Sequence, residues 1–156
     1  MASGASGNRG GSGGTSAEII TPSSFVGTWQ PTSGTFTETC NGTSTNQNVP
    51  DTVTWSLGTS SDLVQVDATS TCTLDANVVG NRAVGVPDQI CTGISTDTGT
   101  GDQLFVEFAF SSYTFALSSD GQTATESISG DINYTDTTTF DQLDCPFTQT
   151  ATYSVQ

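Results

Sequence analysis

Apolar side chains recur at every second position from Phe25 onward, with threonine at many of the positions between them. Leu104, Val106, Phe108 and Phe110 form one such run. A period of two puts alternate side chains on opposite faces of a β-strand, and threonine suits the face that meets water. The pattern therefore predicts an all-β domain of eight to ten short strands, without a helix.

Two details of the alternation predict local features. Between Val64 and Leu74 it runs without interruption, which predicts a single long, half-buried strand. At Ser111 and Ser112 it changes phase, because Tyr113 and the apolar residues after it continue on odd numbers. A phase change inside one apolar run predicts a β-bulge or a sharp bend.

Turn-forming sequences separate the predicted strands and begin at Gly80, Pro87 and Ser119. Strands that follow one another through tight turns predict an antiparallel meander. We expect it to close into a calycin-like barrel, because closure removes the exposed edges of a threonine-rich sheet. A β-sandwich would give the same signals and is the alternative.

The four cysteines lie far apart and include no C-x-x-C pair, which favours two disulfides over a zinc site. Cys40 ends the first predicted strand and Cys145 begins the last, and these strands are neighbours in a closed meander. Cys72 and Cys91 flank the turn at Gly80 on two predicted consecutive strands. We expect the pairs Cys40–Cys145 and Cys72–Cys91; the two other connectivities and four free thiols are alternatives. Disulfides indicate a secreted, periplasmic or outer-surface location.

Residues 1–17 are mostly Gly, Ser, Ala and Thr, which predicts a flexible tether, and 18–156 form the single disulfide-containing domain. The formal net charge of −14 argues against nucleic acid and anionic membrane surfaces as partners. No apolar run approaches the roughly 18 residues of a spanning helix, so no transmembrane segment is expected.

The chain has no histidine and no lysine, and its two basic residues are Arg9 and Arg82. Serine triads, cysteine–histidine dyads and Schiff-base chemistry are therefore excluded, and no cofactor motif is present. We expect a protein that is not an enzyme and that has no cofactor or metal. The chemistry still open is a carboxylate pair, Glu38 with Glu126, as in an acid-dependent hydrolase, or weak calcium binding by loop aspartates. Those aspartates are Asp97, Asp102, Asp136, Asp141 and Asp144.

Four polar residues are candidates for a cluster inside the barrel. Glu38, Glu126 and Gln149 lie in phase with apolar residues on the first, penultimate and last strands. Arg82 is the only basic residue of the predicted domain and would be the partner of the buried carboxylates. Exposure near a strand end, or a bulge that reverses the phase, is the alternative.

The aromatic residues are most simply core, but some of them could bound a ligand pocket. The candidate pocket aromatics are Trp29, Trp55, Phe108, Phe110, Phe147 and Tyr153.

The opening Gly27-Thr-Trp29 resembles the Gly-x-Trp start of lipocalin-type barrels, in which the tryptophan packs across the barrel base. The wider pattern resembles the small secreted lipoproteins of myxobacteria and related bacteria. It comprises a Gly/Ser-rich tether, a cysteine on the first strand, Thr71-Cys-Thr-Leu74, Gln89-Ile-Cys91 and the last run from Cys145 to Tyr153. This resemblance implies a β-rich surface or periplasmic domain, with a lipid anchor in a longer precursor.

These features together favour a non-enzymatic, secreted or surface-tethered β-barrel module that binds a cell-surface partner or associates with the envelope. Two alternatives remain open. One is a calycin-like carrier of a small apolar ligand. The other is a self-associating structural subunit of a surface layer or fibre.

Overall fold

The computed structural model describes residues 19–49, 51–69, 72–97 and 99–156. The predicted tether over 1–17 and Arg9 lie outside the described residues. Within them the chain forms ten strands and one short 3-10 turn, Pro22–Ser24. The strands are β1 Gly27–Cys40, β2 Thr43–Asn48, β3 Val53–Leu57, β4 Leu63–Thr69, β5 Cys72–Val79, β6 Arg82–Gly85, β7 Gln89–Thr96, β8 Gln103–Leu117, β9 Thr123–Asp136 and β10 Gln142–Val155.

The strands form a single antiparallel sheet in which eight of them make a closed ring of hydrogen bonds. The ring runs β10-β9-β8-β6-β5-β4-β3-β1 and closes because β1 pairs with β10, with Gly34 opposite Ala151 and Glu38 opposite Phe147. This confirms the predicted all-β meander and the adjacency of its first and last strands. The two separate sheets of a sandwich are not formed by the described residues.

The longest strands belong to the closed ring over only one half of their length. The first residues of β1, Gly27–Trp29, pair with β3, whereas residues 35–40 of the same strand pair with β2. In the same way β8 pairs with β6 near its end and with β7 over residues 103–110. One end of the molecule is therefore a barrel-like ring, and the other is a curved sheet with β2 and β7 at its edges.

Each half has its own group of buried apolar side chains. The ring encloses the larger one, which includes Trp29, Trp55 and Phe115. The curved sheet carries a smaller one around Ile132 and Phe147. Phe108, Phe110 and Ile128 pack against both groups and lie where the two halves meet.

The predicted bulge in β8 is confirmed, because the register of β8 against β9 shifts between Phe110 and Ser112. A second register shift, in β1 between Pro31 and Ser33, was not predicted. Proline lacks the N–H that a regular ladder would use, which suits it to such an irregularity. The shift lets Trp29 pack inside the ring while Phe36, seven residues later, also faces inward.

The prediction of one long strand from Val64 to Leu74 is wrong. The segment belongs to two antiparallel strands, β4 and β5, with Val66 opposite Leu74. Even-numbered residues of β4 are opposite even-numbered residues of β5, so even-numbered side chains face inward both before and after the chain reverses. No glycine, proline or asparagine interrupts the alternation, so the sequence carries no turn signal there.

Both predicted disulfides are present. Cys40–Cys145 joins the end of β1 to β10 with a Cα–Cα distance of 4.6 Å, and Cys72–Cys91 joins β5 to β7 at 5.7 Å. The sequence predicted that Cys72 and Cys91 lie on consecutive strands, and this detail is wrong, because β6 lies between β5 and β7 in the chain. The Cys72–Cys91 bond links a strand of the ring to the β7 edge of the curved sheet, whereas Cys40–Cys145 lies within the curved sheet, and both are consistent with an extracytoplasmic location.

No helix in the described part of the chain has the length and apolar character needed to cross a bilayer.

Candidate ligand-binding cavity

A cavity of about 360 Å³ lies between the two groups of buried side chains, at the junction of the ring and the curved sheet. Its volume falls within the range of small-molecule sites in proteins. Its walls are mainly aromatic and aliphatic. The lining residues are Phe36, Gln47, Asn48, Val49, Asp51, Thr52, Val53, Val66, Asp67, Leu74, Cys91, Phe108, Phe110, Tyr113, Glu126, Ile128, Phe147, Gln149 and Tyr153.

Four phenylalanines form one wall of the cavity, and Phe147 is at their centre. Its ring stacks on Phe36 at a centroid distance of 5.6 Å and meets Phe108 and Phe110 edge-on at 6.0 Å each. Gly130 on β9 makes room for this ring. A Cβ there would lie 2.9 Å from Cε1 of Phe147 and would collide with the carbonyl oxygen of Ala109. The aromatic wall is thus fixed by close packing on the sheet.

Trp29 and Trp55 do not line the cavity, so their assignment as pocket aromatics is wrong. Each is 1% exposed and packs inside the closed ring, against Phe115 at centroid distances of 5.4 and 5.1 Å. The Trp29 indole donates a 2.9 Å hydrogen bond to the Phe25 carbonyl. The Trp55 indole N–H has no partner among the described residues. The tryptophans fill the ring end, and the other four candidates, Phe108, Phe110, Phe147 and Tyr153, line the cavity.

Glu126 is a buried charged residue of the cavity lining, with 3% of its surface exposed. Its Oε1 accepts hydrogen bonds from Gln149 Nε2 at 2.6 Å and from the Tyr153 hydroxyl at 3.1 Å. Its Oε2 accepts one from the Tyr113 hydroxyl at 2.9 Å. Neutral donors from the two neighbouring strands, β8 and β10, therefore hold the carboxylate in one position.

Burial raises the pKa of the Glu126 carboxyl above its ordinary value, and the three hydrogen bonds offset part of that effect. Burial, followed by the negative charge of Glu126, also raises the pKa of Tyr113 and of Tyr153. Both hydroxyls consequently remain protonated near neutral pH and act as donors. The buried carboxyl of Glu126 is therefore hydrogen-bonded to groups that stay neutral.

The structure brings two members of the predicted internal cluster together and separates the other two. Glu126 and Gln149 are in direct contact. Arg82 is exposed on the outer surface of β6, because its neighbour Ala83 takes the inward position with 0% exposure. Its assignment to the interior is wrong, since the ladder of β5 and β6 gives the inward phase to odd-numbered residues of β6.

Glu38 faces inward as predicted but lies in the curved sheet, away from Glu126. It is opposite Phe147 on β10, whereas Glu126 is opposite Ala151. Four residues of a strand correspond to about 13 Å. The two carboxyls of a glycosidase lie within about 10 Å, so the predicted Glu38–Glu126 pair is not formed.

The Tyr134 hydroxyl donates a 2.7 Å hydrogen bond to Glu38, and burial raises the pKa of Tyr134. A Glu38 oxygen also lies within 4.8 Å of the sulfur atoms of Cys40 and Cys145. Those sulfurs form a disulfide and therefore offer no thiolate to a metal. The arrangement around Glu38 is a structural contact between β1, β9 and β10.

Six polar residues of the cavity lining were not predicted from the sequence, and Tyr113, Asp51 and Asp67 are the ionisable ones among them. Tyr113 was assigned to the core, although its inward phase after the predicted bulge was a signal for its position. Asp51 and Asp67 are exposed members of the lining and so lie at its mouth. Asp51 lies between β2 and β3, and Asp67 lies on β4. No sequence pattern indicated that these two positions meet at the cavity.

The loop aspartates stabilise their own turns. Asp97 Oδ1 accepts hydrogen bonds from the backbone of Gly99 and Thr100, and Asp136 Oδ1 accepts from Thr138 and Thr139. Those bonds lower the pKa of Asp136. Across the described ranges, no three loop carboxylates lie close enough to share a cation.

Comparison with protein-family models, with curated proteins and with solved structures finds no match to this chain.

Proposed function

We propose that this protein is a non-enzymatic, extracytoplasmic binding protein that holds a small, mainly apolar molecule in the cavity between its ring and its curved sheet. The observation that carries the proposal is the cavity itself, with its volume of about 360 Å³ and its wall of four phenylalanines. An apolar enclosure with a few convergent polar groups is the usual form of a small-molecule site. This favours the carrier alternative over an envelope module without a ligand.

The disulfides support the proposed location. Cys40–Cys145 lies at the curved-sheet end, and Cys91 of the second disulfide lines the cavity. A site whose wall includes a disulfide keeps its shape in an oxidising compartment. Secretion, a lipid anchor and kinship with the small lipoproteins of myxobacteria remain predictions from the sequence.

Titration with Nile red, a neutral dye that fluoresces in apolar surroundings, tests the proposal. We expect saturable binding of one dye per chain. Ile128 lines the cavity, so Ile128→Trp should fill it and abolish this binding. Ile94→Trp makes the same change at a residue that is 63% exposed and should leave binding intact. The melting transition of each variant verifies folding. Unsaturable binding, or equal binding by a folded Ile128→Trp protein, would contradict the proposal.

A second candidate function, self-association, is favoured by the β7 edge. Among the described strands β7 pairs only with β8. Its Ile90 and Ile94 are 54% and 63% exposed, and Ile94 lies opposite Phe105, which is 38% exposed. An apolar edge strand of this kind can pair with a second chain. Sedimentation velocity over a concentration series tests this: Ile94→Lys should abolish oligomers, whereas Val79→Lys, at an exposed site on β5, should not. A monomer at all concentrations would exclude it.

A further inference from the structure

The charges that face the cavity all have one sign. Glu126 is at its floor, and Asp51 and Asp67 are at its mouth. Among the residues that the structure describes, the lining contains no basic side chain, and Arg82 lies on the outer surface. In the described residues Glu126 receives its hydrogen bonds from neutral groups, so no positive charge balances the carboxylate when it is ionised.

Glu126 also has an acceptor position left. An ionised carboxylate accepts about four hydrogen bonds, two at each oxygen. Oε1 has two donors, Gln149 and Tyr153, while Oε2 has one, Tyr113. The unused position on Oε2 belongs to a residue of the cavity lining. A donor group on a ligand could complete the set, and a positively charged donor would neutralise the buried charge.

The aromatic wall suits the same kind of ligand. Phe36, Phe108, Phe110 and Phe147 line the same cavity as Glu126 but lie farther along the sheet, since Phe147 is opposite Gly130 and Glu126 is opposite Ala151. Their rings exclude water and provide contact for an apolar body. An anionic ligand would meet three carboxylates and no compensating charge.

We propose that the cavity selects a small organic cation with an apolar body, such as an alkylammonium or arylalkylammonium ion, whose nitrogen binds Glu126. This inference rests on the proposed binding function and narrows it to a class of ligand. It predicts preference by charge among molecules of the same shape.

Three probes with the same eight-carbon chain test the selectivity: octylammonium, 1-octanol and octanoate, each titrated below its aggregation limit by displacement of Nile red. We expect octylammonium to bind about tenfold more tightly than 1-octanol, and octanoate to bind more weakly than both. Glu126→Gln should reduce the ratio of the octylammonium and octanol affinities by about fivefold or more.

Glu107→Gln is the matched control. Glu107 lies between the inward residues Val106 and Phe108 on β8 and so faces the outer surface. The Glu107→Gln substitution removes the same net charge as Glu126→Gln and should leave the ratio of the octylammonium and octanol affinities unchanged. Equal loss in the Glu107→Gln protein would mean attraction by overall charge and would overturn the inference.

The two proposals fail differently. Binding of octanol or octanoate as tight as that of octylammonium would overturn the cation preference and leave the binding function standing. Failure of all three probes and of Nile red to bind would overturn both.

Discussion

Phe110 and Tyr113 lie three residues apart on β8 and both line the cavity. In a regular strand, residues separated by an odd number face opposite sides of the sheet. The register shift between Phe110 and Ser112 removes this conflict, because Ser111 has no partner on β9. The bulge thus gives one strand both an aromatic wall residue and the hydroxyl that binds Glu126 Oε2.

Deletion of Ser111 should therefore destroy the site. Without the extra residue, either Phe110 or Tyr113 must turn to the outer surface, together with the apolar residues that follow it. We expect a loss of more than about 4 kcal/mol in the free energy of unfolding, measured by urea denaturation. Deletion of Thr59, in the exposed segment between β3 and β4, is the control and should cost far less. A similar small loss for both deletions would contradict this role of the bulge.

Stability should depend on pH through Glu126. Folding raises its pKa above the ordinary value of 4.5, so the folded state binds the proton more tightly than the unfolded state. This contribution to stability is complete below pH 4.5 and is lost as the pH rises through the folded-state pKa. Each unit of elevation corresponds to about 1.4 kcal/mol.

Urea denaturation at pH 4 and pH 7 measures this effect as a difference between two proteins. The wild type should lose more stability between these pH values than the Glu126→Gln protein does. The Glu107→Gln protein should behave like the wild type. If the wild type and the Glu126→Gln protein follow the same pH dependence, Glu126 is not the group responsible.

Removal of the Tyr113 hydroxyl should raise the pKa of Glu126 further. Tyr113→Phe leaves Oε2 without its donor, and a hydrogen bond to a charged group contributes about 1.5–3 kcal/mol. Carboxyl-carbon NMR titration of Glu126 measures the shift directly. Tyr134→Phe removes a similar hydroxyl from Glu38 and should not move the titration of Glu126. An unchanged titration in the Tyr113→Phe protein would show that this contact is absent in solution.

The two disulfides should differ in their contribution to stability. They join residues 105 and 19 positions apart, and the chain-entropy relation gives about 4.7 and about 3.2 kcal/mol for loops of those lengths. We expect the Cys40→Ala, Cys145→Ala double variant to be less stable than the Cys72→Ala, Cys91→Ala variant by about 1.5 kcal/mol. Denaturant titration of both variants decides this, and the reverse order would contradict it.

The alternation of apolar residues was enough to predict the strands that have one face in the core. It also predicted the bulge at Ser111, because the apolar residues change there from even to odd numbers. The contact of Glu126 with Gln149 follows from the same phase argument combined with the adjacency of β9 and β10. These features are local patterns or direct consequences of a closed meander.

Other features had no local signal. β2, Thr43–Asn48, contains no apolar residue and exists because β1 offers it a hydrogen-bonding edge. Even-numbered side chains face inward on both β4 and β5, so the sequence alternates through the reversal as it would in one strand. The position of Arg82 depends on how β6 pairs with β5, and the mouth of the cavity depends on chain segments that only tertiary packing brings together.

A crystal structure of the protein with bound octylammonium would show whether the cavity holds an organic cation against Glu126. We expect the alkyl chain between Phe110 and Phe147 and the nitrogen within about 3.2 Å of Glu126 Oε2. A probe bound only on the outer surface, or a cavity that stays free of the probe at saturating concentration, would contradict it.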